Sequence, residues 1–282
     1  MRPSPLMVCK ALLESVDLDQ QSKLLALLST DDQKEIESLP SAGLSREEKL
    51  IKEDELERIH YSWLAPFLRT LSESDLRFFL AALGPAQVKG LQEQLRFSNH
   101  LPTLTKPARG YLRSHLFKQL TSELLPIELL PPSSYNILLR LNDAQLLEVI
   151  VYLGLYDLAF EMRQIIATSI LKEILNALPP RQSEFVQKEM LEPEELIFKR
   201  LFLQGWDGTP ATLAKLVEER GLERLGAALY DCDSNFLWYL THQMEMLRAT
   251  HLLKYCTRAQ NARALKRLNE QYLKILSYLG HI

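Results

Sequence analysis

Cysteine is scarce in this sequence, which limits the chemistry that sulfur can supply. The chain of 282 residues has 3 cysteines, and Cys9, Cys232 and Cys256 lie far apart. None of them belongs to a CxxC pair, so the sequence indicates neither a disulfide framework nor a zinc module. Reduced thiols inside a cytoplasmic protein are the simplest interpretation.

Glycine is scarce as well, and this favours one class of secondary structure. Only 10 glycines occur, while leucine is the dominant residue. Leucine keeps its rotamer freedom in a helix, whereas glycine weakens a helix. Because no segment has a convincing period of two, which strands would require, we predict an all-α fold of several helical modules.

The sequence also lacks long apolar runs and a strong net charge. No uncharged apolar run reaches about 18 residues, so we expect no transmembrane helix. Two prolines within Met1 to Lys10, followed by Glu14 and Asp17, argue against a signal peptide. The formal net charge of −3 gives no whole-chain attraction to nucleic acid or anionic lipid. We therefore expect a cytoplasmic protein with no nucleic-acid partner and no direct membrane insertion, peripheral at the inner membrane through its partners.

Familiar catalytic motifs are missing too. The patterns GxxxxGK(S/T), GxGxxG, GxSxG and HExxH do not occur. His242, His251 and Cys256 come nearest to a set of metal ligands, but their spacing of 9 and 5 residues (251 − 242 and 256 − 251) does not place all three on one helical face. We predict no catalytic residue, no cofactor and no metal site. An enzyme with a non-standard site is kept only as a third hypothesis.

Breaks rich in proline divide the predicted helices. Pro40 to Gly43 forms one break, and Pro126 with Pro131 and Pro132 forms the clearest one. We therefore predict an N-terminal helical segment at 1–40, a helical module at 41–130 and a C-terminal domain at 131–282. The predicted helices include 46–60, 109–125, 155–178, 193–204, 210–220, 222–230, 234–255 and 258–279.

An internal echo links two of these regions at an offset of 70 residues (142 − 72 and 154 − 84). Each copy has an apolar turn, an N-cap at Ser72 or Asn142, an amphipathic helix, and a glycine stop at Gly84 or Gly154. Stacked helical repeats could bury such faces together. Capped leucine-rich helices also recur by chance, so the sequence leaves a true repeat and a coincidence equally open.

Acidic and basic side chains alternate along the predicted helix 46–60. Its candidate contact residues are Glu47, Glu48 and Glu55. The alternation is typical of a solvated face with i,i+4 charge pairs. The alternative is a docking face for a basic partner.

Basic residues dominate the last predicted helix, 258–279. They are Arg258, Arg263, Lys266, Arg267 and Lys274, and they face one acid, Glu270. An apolar stripe runs along the same helix, which therefore either docks on the core with a basic outer face or forms an amphipathic arm that a partner clasps. A membrane surface is a weaker interpretation. Nucleic acid is weaker still, because no aromatic residues interleave with the basic ones.

The segment 205–210, GWDGTP, predicts a turn between two helices. Thr209 would cap the second helix and Pro210 would occupy its first turn. Trp206 either packs on the core, which we favour, or presents a contact to a partner.

The order of elements in 196–256 resembles the C-terminal helical domain of the flagellar rotor-switch (FliG) family. The resemblance rests on Leu196-Ile197-Phe198 entering a helix, the turn 206–208, an amphipathic helix to Val217, the segment 221–229 (GLERLGAAL) and a long helix through Phe236 and Leu253. The earlier helical units resemble the armadillo-like modules of the same family.

Two departures from that family point to a relative that does not rotate. The Glu-His-Pro-Gln motif of the family's middle domain is absent, and 209–217 carries only Lys215 as a charge. As a leucine-rich helical chain of this size without catalytic motifs, the protein is similar to the SctK-like accessory proteins of the type III secretion sorting platform. This resemblance implies a non-enzymatic scaffold that links membrane-ring and cytoplasmic-ring proteins. The alternative is a helical regulator or export chaperone that binds secreted client proteins.

Overall fold

The computed structural model describes residues 9–10, 13, 18–38, 51–121, 124–192, 198, 200–201, 203, 206–257 and 261–282. All regular structure in these residues is helical, with no strand among them, which confirms the all-α prediction. The chain divides into two compact units, Met1–Ser133 and Ser134–Ile282. The sequence prediction had placed boundaries at 40/41 and 130/131, and residues 39–50 lie outside the described part.

Seven helices of the first unit fall within the described residues. They are α1 (Leu18–Leu25), α2 (Thr30–Ser38), α3 (Ile51–Arg58), α4 (Ala65–Leu68), α5 (Glu73–Ala82), α6 (Pro85–Leu95) and α7 (Lys106–Leu120). The Ser29 hydroxyl oxygen accepts a hydrogen bond from Asp32 N at 3.2 Å and caps α2. Gln87 on α6 donates to the carbonyl oxygens of Leu56 and Ile59, each at 2.8 Å, so α6 is tied to the end of α3.

Seven more helices of the described chain form the second unit. They are α8 (Asp143–Met162), α9 (Thr168–Ala177), α10 (Pro180–Glu189), α11 (Pro210–Ala228), α12 (Ser234–His242), α13 (Met246–Cys256) and α14 (Ala262–Tyr278). Every residue from Tyr152 to Ala159 on α8 is buried. A helix that is buried on all sides belongs in the centre of a helical domain, and α10, α11 and α14 pack against α8 accordingly.

Two glycines let α8 and α11 approach each other at backbone distance. A Cβ atom on Gly154 would lie 2.0 Å from the Val217 carbonyl oxygen, and one on Gly221 would lie 1.8 Å from the Ile150 carbonyl oxygen. Such distances leave room for hydrogen only, so both positions need glycine for lack of space. The close approach corrects two sequence predictions. Gly154 does not stop a helix, and 210–220 and 222–230 are one continuous helix, α11.

Two other predicted helices are each broken into two. The helix predicted at 155–178 ends at Met162 and resumes at Thr168, and at this break the Arg163 side chain donates through Nη1 to the Glu192 carbonyl oxygen. The helix predicted at 234–255 is interrupted after His242. There Gln243 donates to the Leu139 carbonyl oxygen at 3.0 Å and the neighbouring Met244 is fully buried.

Some predicted helix ends shift for local reasons. The helix predicted at 109–125 runs from Lys106 to Leu120, with Thr105 as its cap. The described part of 46–60 is helical over Ile51–Arg58. Most of 193–204 lies outside the described residues, and Phe198, Arg200 and Leu201 within it are not helical.

The two segments related by the offset of 70 residues share their N-caps, but only the first ends its helix next to the predicted glycine. Ser72 Oγ accepts from Asp75 N at 3.2 Å, and Asn142 Oδ1 accepts from Gln145 N at 3.0 Å, so both predicted N-caps are confirmed. Gly84 follows the end of α5 and precedes Pro85 of α6. Because Gly154 lies in mid-helix, the second copy has no matching stop.

Candidate protein-binding site

Helix α14 separates an apolar side from a charged side. Asn261 Oδ1 accepts from Ala264 N at 2.8 Å and starts the helix. The buried residues on its inner side include Leu268, Tyr272, Ile275 and Leu276. Since its own unit covers this apolar stripe, the structure corresponds to the docked helix of the two sequence alternatives and not to the open arm.

On the other side, an open recess of about 360 Å³ lies among side chains that all belong to α14, and we call it the basic groove. Its lining residues are Arg263, Lys266, Arg267, Glu270, Gln271 and Lys274. The Lys266 side chain is 81% exposed, and its Nζ lies 4.0 Å from Glu270 Oε1, which is also exposed. An exposed pair at this distance contributes little to stability, so both side chains can exchange it for another partner.

Lys274 differs from Lys266 in the partner that it holds. Its Nζ lies 2.9 Å from Glu189 Oε2 on α10, and the Glu189 side chain is only 2% exposed. A buried carboxylate requires a compensating charge, which Lys274 supplies. Lys274 therefore stabilises the fold, whereas Lys266 contacts the exposed Glu270 carboxylate.

Beneath the groove lies a buried polar layer that joins α14 to α8 and α11. Arg224 on α11 donates to Gln271 Oε1 on α14 and to Asp157 Oδ1 on α8. Arg220 Nε lies 3.3 Å from Asp157 Oδ2 and Arg220 Nη1 lies 2.7 Å from Glu223 Oε2. Burial raises the pKa of Asp157 and the two arginines oppose that shift. The floor of the groove is thus fixed to the central helix pair.

The other charged candidates do not join this groove as described side chains. Arg258, Glu47 and Glu48 lie outside the described residues. Glu55 is 8% exposed, which corrects its assignment to an exposed docking face. The reason is that α3 packs against α7, where Arg113 pairs with Glu57 at 3.2 Å.

Trp206 belongs to a hydrogen-bonded turn. Its Nε1 donates to the Thr209 carbonyl oxygen at 2.9 Å, and the residue is half-buried. Asp207 accepts from Thr209 and Thr212, and these hydrogen bonds hold its pKa below the usual range. Thr209 caps α11 and Pro210 starts it, as predicted. The polar edge of Trp206 is occupied within the turn.

A second recess, of about 350 Å³, lies where α8 ends and α9 begins. Its lining residues are Glu161, Gln164, Ile165, Ile166, Ala167, Ile170, Arg200 and Leu203. Ile166 is 96% exposed there. The sequence prediction missed this recess because it placed an unbroken helix across 163–167. The adjacent β-branched Ile165 and Ile166, which weaken a helix, were the only local signal.

The most perturbed titratable groups owe their shifts to burial. His242 stacks on Trp238 with ring centroids 3.9 Å apart, and burial lowers its pKa to about 4. Burial likewise raises the pKa of Cys256 to about 12 and that of Cys232 to about 11, so both thiols are protonated at neutral pH. Within the described residues, no group of three or more His, Cys, Asp or Glu side chains is placed to hold a metal ion.

In the part of the chain that the structure describes, no helix is long and apolar enough to cross a membrane. Comparisons with protein-family models, with curated proteins and with solved structures find no match for this chain.

Proposed function

We propose that this protein is a non-enzymatic helical adaptor that uses the basic groove to bind a partner protein of a type III secretion apparatus. One observation carries the proposal. The apolar stripe of α14 is buried in its own unit, while Arg263, Lys266, Arg267 and Lys274 line a recess of about 360 Å³ on its outer side. A helix fixed in this way presents a charged surface at constant geometry, which suits recognition.

The chemistry of the lining supports binding rather than catalysis. The groove offers guanidinium, ammonium, carboxylate and carboxamide groups, all of which form ion pairs and hydrogen bonds. The strongly shifted groups His242, Cys232 and Cys256 are not among its lining residues. An active site would need a nucleophile and a general base side by side in a cavity that holds the substrate.

The secretion context is supported by the resemblance of 196–256 to the rotor-switch family. The turn at Asp207 and the helix that follows it agree with that order of elements. The continuous α11 and the break between α12 and α13 differ from it. In this proposal the adaptor works on the cytoplasmic side, links membrane-ring and cytoplasmic-ring proteins, and reaches the inner membrane through them.

Affinity purification of the tagged chain from its native cells tests this proposal. We expect mass spectrometry to identify membrane-ring and cytoplasmic-ring proteins with the wild type and to lose at least one of them with Lys266→Glu. Lys172→Glu on the exposed side of α9 is the matched control, since it makes the same change of charge away from the groove. Recovery of no apparatus protein by the wild type would refute the adaptor function.

The second recess favours an export chaperone as the alternative function. Ile166 beside it is 96% exposed, and Leu191, on the turn that Arg163 joins to the end of α8, is 86% exposed. The recess also groups Ile165, Ile170 and Leu203 with Ile166, and a contiguous apolar surface suits the capture of apolar client segments. If secreted clients alone are recovered, and Ile166→Asp but not Lys266→Glu releases them, the chaperone function replaces the adaptor.

A further inference from the structure

We propose that the basic groove binds an acidic helix of the partner protein, antiparallel to α14, with carboxylates and one cation at a defined spacing. This inference rests on the proposed function and adds to it the class of partner segment.

The charges of α14 fall on one face in a fixed order. With 100° per residue, positions 263, 266, 267, 270 and 274 all lie within an arc of about 100°. At about 1.5 Å per residue, the row from Arg263 to Lys274 is about 16 Å long. Read from the N-terminus, it presents three cations, then Glu270, then one cation.

Glu270 selects among the possible anionic partners. A polyanion such as nucleic acid or an acidic lipid surface presents uniform negative charge, which would place phosphates against the exposed Glu270 carboxylate. A protein helix can place a lysine opposite Glu270 and carboxylates opposite the flanking cations. Charge complementarity along the row therefore favours a helix of mixed charge with an acidic excess.

The spacing on an antiparallel partner follows by counting back from Lys274. A carboxylate at partner position 1 would face Lys274, and a lysine at position 5 would face Glu270 (274 − 270 = 4). Carboxylates at positions 8, 9 and 12 would face Arg267, Lys266 and Arg263 in turn (differences 7, 8 and 11). Antiparallel packing also sets the two helix dipoles in opposite directions, which is the favourable arrangement.

Lys274 contributes less than Lys266 to this binding. Its ammonium group already neutralises the buried Glu189 at 2.9 Å, and a partner carboxylate would have to share it. Lys266, whose contact to Glu270 is 4.0 Å long and exposed, can turn to a new partner without leaving a buried charge. The centre of recognition is therefore the pair of Lys266 and Glu270.

Two synthetic peptides of about 16 residues in an alanine-rich helical host would test the spacing. The matching peptide carries Glu at positions 1, 8, 9 and 12 and Lys at position 5. The permuted peptide has the same composition, with Lys at position 8 and Glu at position 5. We expect the full chain to bind the matching peptide about tenfold more tightly at low ionic strength, because the permuted peptide sets like charges against Glu270 and Arg267.

Charge reversal on the protein then gives a rescue test. The Glu270→Lys protein is expected to bind the matching peptide more weakly and to prefer a peptide with Glu at position 5. Glu173→Lys on the exposed side of α9 changes the net charge equally and is expected to leave the preference unaltered. The difference between the two peptides should shrink as the salt concentration rises from about 0.05 M to about 0.5 M.

Each outcome decides the inference. Equal binding of both peptides, no binding of either, or preferential binding to vesicles of phosphatidylserine or to single-stranded DNA would overturn it. Its failure is separable from failure of the proposed function. Apparatus proteins recovered by the wild type and lost with Lys266→Glu, without peptide selectivity, would refute only the spacing. Peptide selectivity with no apparatus protein recovered would refute the cellular context and leave the spacing intact.

Discussion

Replacing Gly221 with alanine should destabilise the second unit severely, although alanine is the better helix former. The added Cβ atom would lie 1.8 Å from the Ile150 carbonyl oxygen and 2.7 Å from the Ile150 carbonyl carbon. Both contacts are to backbone, so no side chain can rotate away. To reach even 3.0 Å, α8 and α11 would have to separate by more than 1 Å (3.0 − 1.8).

The magnitude follows from two opposing effects. Alanine improves helix propensity by about 1 kcal/mol over glycine. Overpacking of a core costs about 1–3 kcal/mol and more when the backbone must move. The contact between α8 and α11 holds the central helix of the unit in place. We therefore expect the free energy of unfolding to fall by about 2–4 kcal/mol in total, which is a large part of the typical stability of a domain.

Urea unfolding followed by circular dichroism measures this loss, and thermal unfolding should show a decrease in Tm of about 5–15 °C. Gly84→Ala is the control, because its Cβ atom would meet only Gln87 Oε1 at 3.9 Å. Gly84→Ala at this N-cap should lower the free energy of unfolding by less than about 1 kcal/mol. A Gly221→Ala protein as stable as the wild type would refute the close approach of α8 and α11.

Three further changes test the charges and hydrogen bonds of the second unit. Lys274→Met should lower the free energy of unfolding by about 1–3 kcal/mol, because it leaves the buried Glu189 carboxylate without its cation. Lys266→Met should change that free energy by less than about 0.5 kcal/mol. Equal effects of the two substitutions in urea unfolding would contradict a stabilising role that is specific to Lys274. His242 has a pKa of about 4 in the fold against 6.5 in the unfolded chain, so the stability that it contributes is present above pH 6.5 and is lost as the pH falls from 6.5 towards 4, by up to about 3 kcal/mol. His242→Phe should flatten that part of the stability profile between pH 7 and pH 5, and an unchanged slope would exclude His242 as its source. Glu161→Ala removes the carboxylate that holds Arg200 at 3.0 Å and Leu201 N at 3.2 Å, so trypsin should cleave after Arg200 faster than in the wild type, with Glu173→Ala as the control.

Local chemistry in the sequence is sufficient to predict several helix starts. Ser72, Asn142 and Thr209 cap helices through their own side chains, and Pro210 fits the first turn of α11 because its missing N–H would have no partner there. These features depend on a few neighbouring residues. They can therefore be identified without knowledge of the tertiary structure.

Helix interruptions and glycine roles depend on distant residues instead. The break after Met162 is held by a bond from Arg163 to residue 192, and the break after His242 by a bond from Gln243 to residue 139. Gly154 and Gly221 look like helix stops in the sequence, yet their partners lie in the facing helix. No local pattern distinguishes a glycine that ends a helix from one that lets two helices touch.

The candidate site likewise has features that the sequence predicts and features that depend on tertiary contacts. The basic residues and apolar stripe of α14 follow from helical periodicity, so the sequence predicts an amphipathic helix with a basic face. The different task of Lys274 depends on Glu189, 85 positions earlier in the chain, and the burial of Glu55 depends on the packing of α3 against α7. Neither could be inferred without the tertiary contacts.

Two polar contacts, three residues apart, fix the rotation of α14 about its axis. Gln271 accepts from the buried Arg224, which also binds Asp157 on α8, and Lys274 pairs with Glu189 on α10. A buried polar layer of this kind adds little stability compared with apolar packing, but it admits one register, whereas leucine side chains tolerate small rotations. A rotation of α14 would separate both contacts at once and leave the buried Glu189 carboxylate without its cation. The core of the unit therefore sets the direction in which Lys266 and Glu270 face.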